Sequence, residues 1–282
     1  MIVDAHTHIF PPEIVTQRER FLTHDSWFAE LYSSPRAKLA TADDLIEAMD
    51  LNGIDLAIAC SFGWRDHGLI VMCNDYMIES VRANPTRLVG LAGMLPQAGG
   101  RAADEVARCA AAGLAGIGEL MPHGQGYRLG DTRLLAPVMA AVAALDLIVL
   151  AHASEPVGHT YLGKGDVAAG DLYAFIRAWP QVRTIAAHWG GGFPFFELMP
   201  EVRAAAANLW YDTAASPYLY LPEIFTHVVE ITGGERILWA TDFPLLGHQR
   251  VLDHLRASGL DEVMLARVLG GNAAAMLRLG DG

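Results

Sequence analysis

Cysteine is scarce in this chain, and its three cysteines show no pairing pattern. Cys60, Cys73 and Cys109 are widely spaced, odd in number and form no CxxC motif. A disulfide framework needs an even, recurrent set of cysteines in an oxidising compartment. We therefore expect free thiols in a reducing compartment. No basic and apolar leader precedes the first predicted strand, so we expect a cytoplasmic protein without a secretory signal.

Positive charge and long apolar runs are also in short supply. The chain has 20 basic and 32 acidic side chains, which give a formal net charge of -12. Such a surface repels phosphate backbones and anionic lipids, so we expect neither nucleic acid nor a membrane as partner. The most apolar stretch, LLAPVMAAVAALDLIVLAHA, is interrupted by Asp146 and predicts a helix followed by a strand. No G-x-x-x-x-G-K pattern followed by serine or threonine is present for binding nucleotide phosphates. The expected partner is a small-molecule substrate.

Eight short apolar segments are the main signal of the fold. After a longer first interval they recur every ~25 to 36 residues, with amphipathic helical patterns between them, which is typical of parallel strands covered on both faces. A length of 282 residues with 52% hydrophobic residues suits one large α/β barrel, and no linker divides the chain. We predict a single-domain (β/α)8 TIM barrel over residues 1–282. The segments are MIVDAH, DLAIACSF, RLVGLAGM, LAGIGEL, LIVLAH, TIAAHW, NLWYDT and RILWATDF.

The first connection is longer than the others. Residues 10–40 lie between the first two predicted strands and contain Trp27, Phe28 and three prolines. Long insertions at the carboxyl end of a barrel strand often cover the active site, and we predict that role here. The next helix is predicted over TADDLIEAMDLNG, with Thr41 as N-cap, Asp44 three residues later and an end before Gly53.

Histidines and carboxylates collect at the predicted carboxyl ends of the strands. In DAHTH, alternation on a strand is expected to place Asp4 on the same face as the two histidines. A lone histidine or carboxylate could be a satisfied core residue, a buried ion-pair partner or a cap. A whole set at one end of a barrel instead predicts a site for a divalent metal, bound by imidazole and carboxylate without thiolate. The predicted ligands are His6, His8, Glu119, His152, His188 and Asp242.

This pattern resembles the signature of the amidohydrolase superfamily: HxH on strand one, histidine on strands five and six, and aspartate on strand eight. The motifs AHWGGGFPF, NLWYDTAASP, ILWATDFPL and GGNAAAML are similar to those of its amidohydrolase-related subgroup. That subgroup includes decarboxylases of aromatic and enoic acids, hydratases and sugar lactonases. The resemblance runs from His6 to about Leu279 and implies a metal-dependent barrel enzyme.

The resemblance also implies a division of the ligands. His6, His8 and Asp242 would hold a first ion, and His152 would either join them or bind a second ion with His188. In many binuclear relatives the strand-four position bridges both ions, whereas in the subgroup's decarboxylases it is usually not a metal-binding carboxylate. Glu119 therefore favours a hydrolase with one or two ions. Zinc is the first choice, and manganese and iron(II) accept the same ligands.

The main functional prediction is a hydrolase of a small carboxylate-bearing lactone, ester or amide. A divalent ion lowers the pKa of its bound water to about 7, Asp242 would act as general base, and His188 or a second ion would polarise the carbonyl. The alternative is a non-oxidative decarboxylase of an aromatic or unsaturated acid, with His188 or Asp242 handling protons. A third hypothesis, a barrel that binds without catalysis, is disfavoured by the intact ligand set.

Loops after strands two, four and five are expected to bind the substrate. They supply cations and aromatic rings at the predicted mouth of the site, and Arg65 or Lys164 would pair with a substrate carboxylate. The competing interpretation is that these are solvated loop charges. The candidates are Arg65, His123, His159, Tyr161 and Lys164.

Two apolar segments leave the oligomeric state open. FPFFELMP and SPYLYLPEIF are apolar enough to form a homodimer interface. Burial within the monomer would account for them equally well.

Overall fold

The computed structural model describes residues 1–279 and shows eight parallel strands that pair in sequence order. The sheet closes on itself, because the Ala5 N–H donates to the Trp239 carbonyl and the Asp242 N–H to the His6 carbonyl, both at 3.0 Å. The predicted (β/α)8 barrel is therefore confirmed, while the last three residues of the predicted 1–282 domain lie outside the described residues. The strands are β1 Val3–His8, β2 Leu56–Cys60, β3 Leu88–Ala92, β4 Gly116–Leu120, β5 Ile148–Ala151, β6 Thr184–Ala186, β7 Leu209–Asp212 and β8 Ile237–Leu238.

The strands are buried on both faces, as their continuous hydrophobicity predicts. In β5, Ile148 and Leu150 pack in one apolar cluster with Val3 and Ile185, whereas Val149 belongs to a second, larger cluster that includes helix residues. Alternate side chains therefore point to the barrel interior and to the helical layer.

Sixteen α-helical segments are assigned within residues 1–279, and short 3-10 turns and one π-helical turn join some of them. The predicted N-cap of α4 is confirmed, since Thr41 and Asp44 form a capping box and Gly53 ends the helix in a left-handed conformation. Among the described residues, no helix combines the length and apolarity needed to cross a bilayer. The helices are α1 Pro12–Thr16, α2 Arg18–His24, α3 Ser26–Tyr32, α4 Ala42–Asn52, α5 His67–Ala83, α6 Gly100–Ala111, α7 Pro122–Gln125, α8 Thr132–Ala144, α9 Ala169–Ala178, α10 Ala187–Gly190, α11 Pro200–Ala205, α12 Ser216–Leu219, α13 Ile224–Thr232, α14 His248–Arg256, α15 Glu262–Ala266 and α16 Asn272–Leu277.

The insertion at residues 10–40 forms α1, α2 and α3. Its aromatic side chains pack against the loop that follows β2: the Phe28 and Trp64 rings stack at 4.7 Å, and Phe28 also meets Phe62 edge to face at 5.5 Å. Trp27 and Tyr32 from the same insertion line a cavity of the barrel, beside His8. The insertion is thus anchored by apolar packing and forms part of the cavity wall.

Two strands are shorter than the sequence predicts. His188 was expected to close β6 and Asp242 to close β8, but both follow their strands. His188 lies in α10 at φ 55°, and Asp242 lies in the turn after β8 at φ 65°. Left-handed backbone cannot continue a strand, so the strand ends earlier and the side chain is redirected.

Candidate metal centre

His6 and His8 place two ring nitrogens next to each other in the barrel interior. The Nε2 atoms lie 3.1 Å apart, and both residues are buried. Asp212 Oδ2 lies 2.9 Å from His6 Nδ1, and a carboxylate only accepts, so His6 donates from Nδ1 and its Nε2 is the atom that faces His8. Two facing nitrogens need a shared proton or a cation between them. This pair therefore fits a metal ion.

Two carboxylates surround this nitrogen pair. Glu119 Oε2 lies 3.7 Å from His6 Nε2 and 3.5 Å from His8 Nε2, and Asp242 Oδ1 lies 3.9 and 3.4 Å from the same atoms. Burial would raise the pKa of Glu119, but the positive charges of His6 and His152 outweigh it and hold that pKa well below its usual range. The ionised carboxylates and imidazole nitrogens form the donor set expected for a divalent cation.

His152 and His188 face the other oxygen of Glu119. His152 Nδ1 lies 2.9 Å from Glu119 Oε1, and its Nε2 lies 3.2 Å from the Lys164 carbonyl. His188 Nδ1 donates to the Ala214 carbonyl at 3.1 Å, and its Nε2 lies 3.8 Å from Glu119 Oε1. One donor atom each of His6, Glu119 and His188 lies within 4.8 Å of the others. All six predicted ligands thus meet in one place, with Glu119 between two groups.

Asp212 holds two parts of this centre together and was missed in the sequence. Its Oδ1 accepts from the His188 N–H at 2.8 Å, while its Oδ2 accepts from the His6 ring. Asp212 is fully buried at the carboxyl end of β7. The rule that polar residues at strand ends build the site would have found it in NLWYDT.

The glycines after His188 allow the backbone to approach a neighbouring strand end. A Cβ at Gly191, where φ is 61°, would lie 2.4 Å from the Ser154 carbonyl oxygen. A side chain is excluded there by both contact and conformation. The HWGGG run is therefore a close-packed turn beside the centre.

Asp4 departs from the prediction that it shares a face with the two histidines. Its carboxylate accepts from the Thr241 N–H at 3.0 Å and from the Thr241 hydroxyl at 2.5 Å, and His248 Nε2 lies 3.2 Å away. The pairing of β1 with β2 shifts register between Asp4 and Thr7, so the alternation is broken. Asp4 fixes the turn that carries Asp242 and does not face the histidine pair.

A cavity of about 440 Å³ opens above the centre. Its floor contains His8, Glu119, His152, His188 and Asp242. Its walls are aromatic and apolar, and several of them come from the insertion and from the loops after β5 and β7. Wall residues include Trp27, Leu31, Tyr32, Met121, His123, His159, Tyr161, Leu162, Tyr218, Leu219 and Leu245.

Three of the five predicted substrate residues line this cavity: His123, His159 and Tyr161. Burial, together with the charge of His152, lowers the pKa of His123 to about 3, so this ring is neutral. Tyr161 donates its hydroxyl to Glu155 at 3.3 Å. A neutral imidazole in the wall can both donate and accept a hydrogen bond.

Arg65 and Lys164, expected on the substrate carboxylate, do not belong to the described lining. The Arg65 guanidinium donates to the Gly124 carbonyl and the Ser26 hydroxyl, and the Lys164 ammonium to the Val157 and His159 carbonyls. Backbone carbonyls hold both cations away from the cavity. Lys38, which the sequence did not single out, is the cation in the described lining.

The three cysteines are free and buried, as their spacing predicts. Cys60 has a neighbour that the sequence did not reveal: its Sγ lies 3.5 Å from His8 Nδ1. The thiol also donates to the Thr7 carbonyl at 3.1 Å.

The chain belongs to the amidohydrolase family, whose sequence profile matches residues 3–279. This confirms the family that the histidine and aspartate pattern resembles. Among curated proteins, 2-amino-3-carboxymuconate-6-semialdehyde decarboxylase of Dictyostelium discoideum is 23% identical over an alignment of 338 residues including gaps. The alignment covers 98% of this chain and 91% of that protein.

Two solved structures share the barrel. The 5-carboxyvanillate decarboxylase of Sphingomonas paucimobilis superposes with a TM-score of 0.79 at 21% identity, covering 98% of both chains. A dihydroxybenzoic acid decarboxylase from a Polaromonas species, with bound manganese and the inhibitor 2-nitroresorcinol, gives a TM-score of 0.77 at 20% identity, covering 100% of this chain and 98% of that one. At sequence identities of 20–21%, the structural similarity shows a shared fold and not a shared activity.

Proposed function

We propose that the protein is a metal-dependent, non-oxidative decarboxylase of an aromatic or unsaturated carboxylic acid. The sequence alone favours a hydrolase over this function, and we reverse that order. The observation that carries it is an aromatic-walled cavity directly above a buried cluster of histidines and carboxylates. The similar proteins described above, which are named as decarboxylases, support it.

The cavity walls suit a planar, largely apolar substrate. Trp27, Tyr32, Tyr161 and Tyr218 offer ring faces and edges, and aromatic pairs contribute about 0.5–1.5 kcal/mol each beyond area burial. Lys38 at the rim could neutralise one further acidic group. The substrate class is therefore an aromatic or conjugated acid with few charges.

We propose that His6, His8 and Asp242, with Glu119 beside them, hold a divalent ion. Manganese is bound in the Polaromonas enzyme and becomes our first choice, ahead of zinc. When bound, the ion supplies a fixed positive charge that attracts and orients the carboxylate of the substrate. The buried donors provide a preorganised, dry setting in which such charge interactions are strong.

The reaction requires one bond to break and one proton to move. The bond between the substrate carbon and its carboxyl carbon breaks, carbon dioxide leaves, and the electron pair remaining on the substrate carbon takes up a proton. We assign this proton transfer to Asp242 and His188, which both line the cavity floor and would relay the proton from solvent to that carbon. Hydrogen bonding to Ala214 fixes the His188 ring so that its Nε2 points away from the backbone toward the centre.

Glu119 supports a second candidate function. Its two oxygens face different pairs of histidines, which is the placement expected of a carboxylate between two ions. A two-ion centre would favour hydrolysis of a carboxylate-bearing lactone, ester or amide, with Asp242 accepting the proton of water.

Carbon dioxide release distinguishes the two candidates. The manganese-loaded protein would be offered aromatic and unsaturated acids labelled with carbon-13 in the carboxyl group, and lactones, esters and amides in parallel. Labelled carbon dioxide, with loss of turnover in Asp242→Asn that still binds metal, supports the decarboxylase. Ring opening or ester cleavage without carbon dioxide would favour the hydrolase. A protein that binds metal but turns over neither set would be a binding barrel.

We also propose that the protein forms a homodimer. Phe195, Phe196, Leu198 and Met199 of FPFFELMP are exposed, and so are Tyr218 and Leu221 of SPYLYLPEIF. Contiguous apolar side chains on a surface commonly mark an association site. Light scattering should give twice the chain mass, and Leu198→Glu with Leu221→Glu should return the protein to the monomer.

A further inference from the structure

Tyr32 brings an aromatic ring and a hydroxyl group to the cavity wall. It is the last residue of α3 and lines the cavity together with His8. Three buried aromatic side chains pack against its ring: Phe28 stacks on it with the ring centroids 4.7 Å apart, and Phe10 and Phe62 meet it edge to face at 5.5 and 5.8 Å. Apolar packing therefore sets the position of the ring and, with it, that of the hydroxyl.

The Tyr32 hydroxyl differs from those of the other two tyrosines in the described lining. Tyr161 donates its hydroxyl to Glu155 at 3.3 Å, and the Tyr218 hydroxyl accepts a hydrogen bond from Arg250 at 3.3 Å. The Tyr32 hydroxyl has no hydrogen-bond partner among residues 1–279. Phenylalanine would give the same packing, so the fold does not require this hydroxyl. A donor that the fold leaves uncommitted at a cavity is available to a ligand.

The carboxylates of the cavity floor act on this hydroxyl. Burial raises the pKa of Tyr32, and the negative charges of Asp242 and Glu119 raise it further, so the hydroxyl keeps its proton and serves as a donor. Asp242 and Glu119 also belong to the proposed ion site. The hydroxyl is thus close to the place where the ion would orient the carboxylate of the substrate.

We propose that the Tyr32 hydroxyl donates a hydrogen bond to the substrate carboxylate that leaves as carbon dioxide. This inference rests on the proposed function and adds a substrate-binding residue to it. A neutral donor binds an anionic oxygen without repelling the ion, and it is stronger toward a carboxylate than toward an uncharged acceptor. Tyr32 thereby selects substrates with a carboxylate at the cavity floor, whereas Lys38 would bind a second acidic group at the rim.

The direction of charge movement defines what this hydrogen bond does. As the carbon–carbon bond breaks, negative charge leaves the carboxylate oxygens, because carbon dioxide is neutral. A hydrogen bond to those oxygens is therefore stronger before the reaction than in its transition state, and it contributes to binding rather than to the chemical step. Tyr32→Phe should raise KM about 10- to 100-fold and leave kcat within about threefold of wild type.

Binding of two simple probes tests the assignment without turnover. Benzoate and toluene share a ring, but only benzoate has a carboxylate. Both would be titrated into manganese-loaded wild type, Tyr32→Phe and the control Tyr173→Phe. Tyr173 lies in α9 outside the described lining, with its ring against Arg177. We expect benzoate affinity to fall about 10- to 100-fold in Tyr32→Phe alone, while toluene affinity and manganese affinity stay within about threefold of wild type.

Three results would overturn the assignment. Unchanged benzoate affinity in Tyr32→Phe means that the hydroxyl does not contact the carboxylate. Equal losses for benzoate and toluene mean that the substitution only disturbs the packing of the wall. Wild type that binds benzoate no more tightly than toluene recognises no carboxylate at this place. A loss specific to benzoate, with no decarboxylation by wild type, would instead refute the proposed function and leave the assignment of Tyr32 standing.

Discussion

Asp212 accepts the Nδ1 proton of His6 at 2.9 Å, so a carboxylate at the end of β7 orients the ring of a proposed metal ligand on β1. Replacement by asparagine would turn an amide N–H or a weaker acceptor toward that ring. We expect Asp212→Asn to weaken manganese binding about 10- to 100-fold, the usual effect of losing such a partner. Calorimetric titration measures it, with Asp171→Asn at an exposed ion pair as control. Unchanged affinity would mean that the His6 tautomer does not depend on Asp212.

Metal binding should strengthen as pH rises. Burial alone would lower the pKa of His8, but the nearby Cys60 and the hydrogen bond to Asp242 outweigh it and raise that pKa to about 10; the pKa of His6 is also raised. Protons therefore compete with the ion for both nitrogens at neutral pH. Manganese affinity should increase from about pH 6 to pH 9, with proton release visible as a dependence on buffer ionisation enthalpy. A flat pH profile would contradict protonated histidines in the metal-free protein.

Lys38 should matter only for substrates with a second acidic group. It lines the cavity and forms no ion pair among residues 1–279. We expect Lys38→Met to raise KM for such acids about 10- to 100-fold, corresponding to one charged hydrogen bond, with kcat little changed. Lys164→Met is the matched control, because backbone carbonyls hold that ammonium away from the lining. Equal effects of both variants would argue against a direct contact by Lys38.

The buried ion pair of Glu197 and Arg236, which contacts Tyr211 of β7, should contribute strongly to the free energy of unfolding. Glu197 is buried, accepts the Tyr211 hydroxyl at 2.6 Å and pairs with Arg236. Glu197→Ala leaves the guanidinium without its partner, which typically costs about 3–5 kcal/mol of unfolding free energy. Urea denaturation would measure the loss. The exposed pair of Glu13 and Arg20 serves as comparison, and Glu13→Ala should cost at most about 1 kcal/mol.

The barrel and the clustering of histidines and carboxylates could be predicted because both follow from local pattern. Ile148 and Val149 point to opposite faces, yet both are buried, so the strand appears as a continuous apolar run. Polar residues in or just beyond such runs converge at one end of a parallel barrel. That rule brought Glu119 and His152 together although 32 residues separate them in sequence.

The remaining details depend on tertiary contacts that local sequence patterns do not reveal. His188 and Asp242 lie in left-handed turns beyond their strands, and the turn after β8 is held by the distant Asp4. Arg65 is drawn away by the Gly124 carbonyl, whose position only the folded loop defines. The cationic side chains of the loops donate to nearby backbone carbonyls, and sequence composition does not show where those carbonyls lie.

The hydrogen bonds between β1 and the residues that follow β8, which close the barrel, also bear on the order of synthesis and metal binding. His6 lies on β1, which is synthesised before the other strands, whereas Asp242 lies beyond β8 and its backbone N–H donates to the His6 carbonyl at 3.0 Å. A nascent chain thus carries the histidine pair well before it gains Asp242, the last of the proposed ligands. Early capture of a stray ion at His6 and His8 would occur before the complete donor set exists. Correct metallation therefore belongs after β8 has been made, when the first and last strands of the barrel have met.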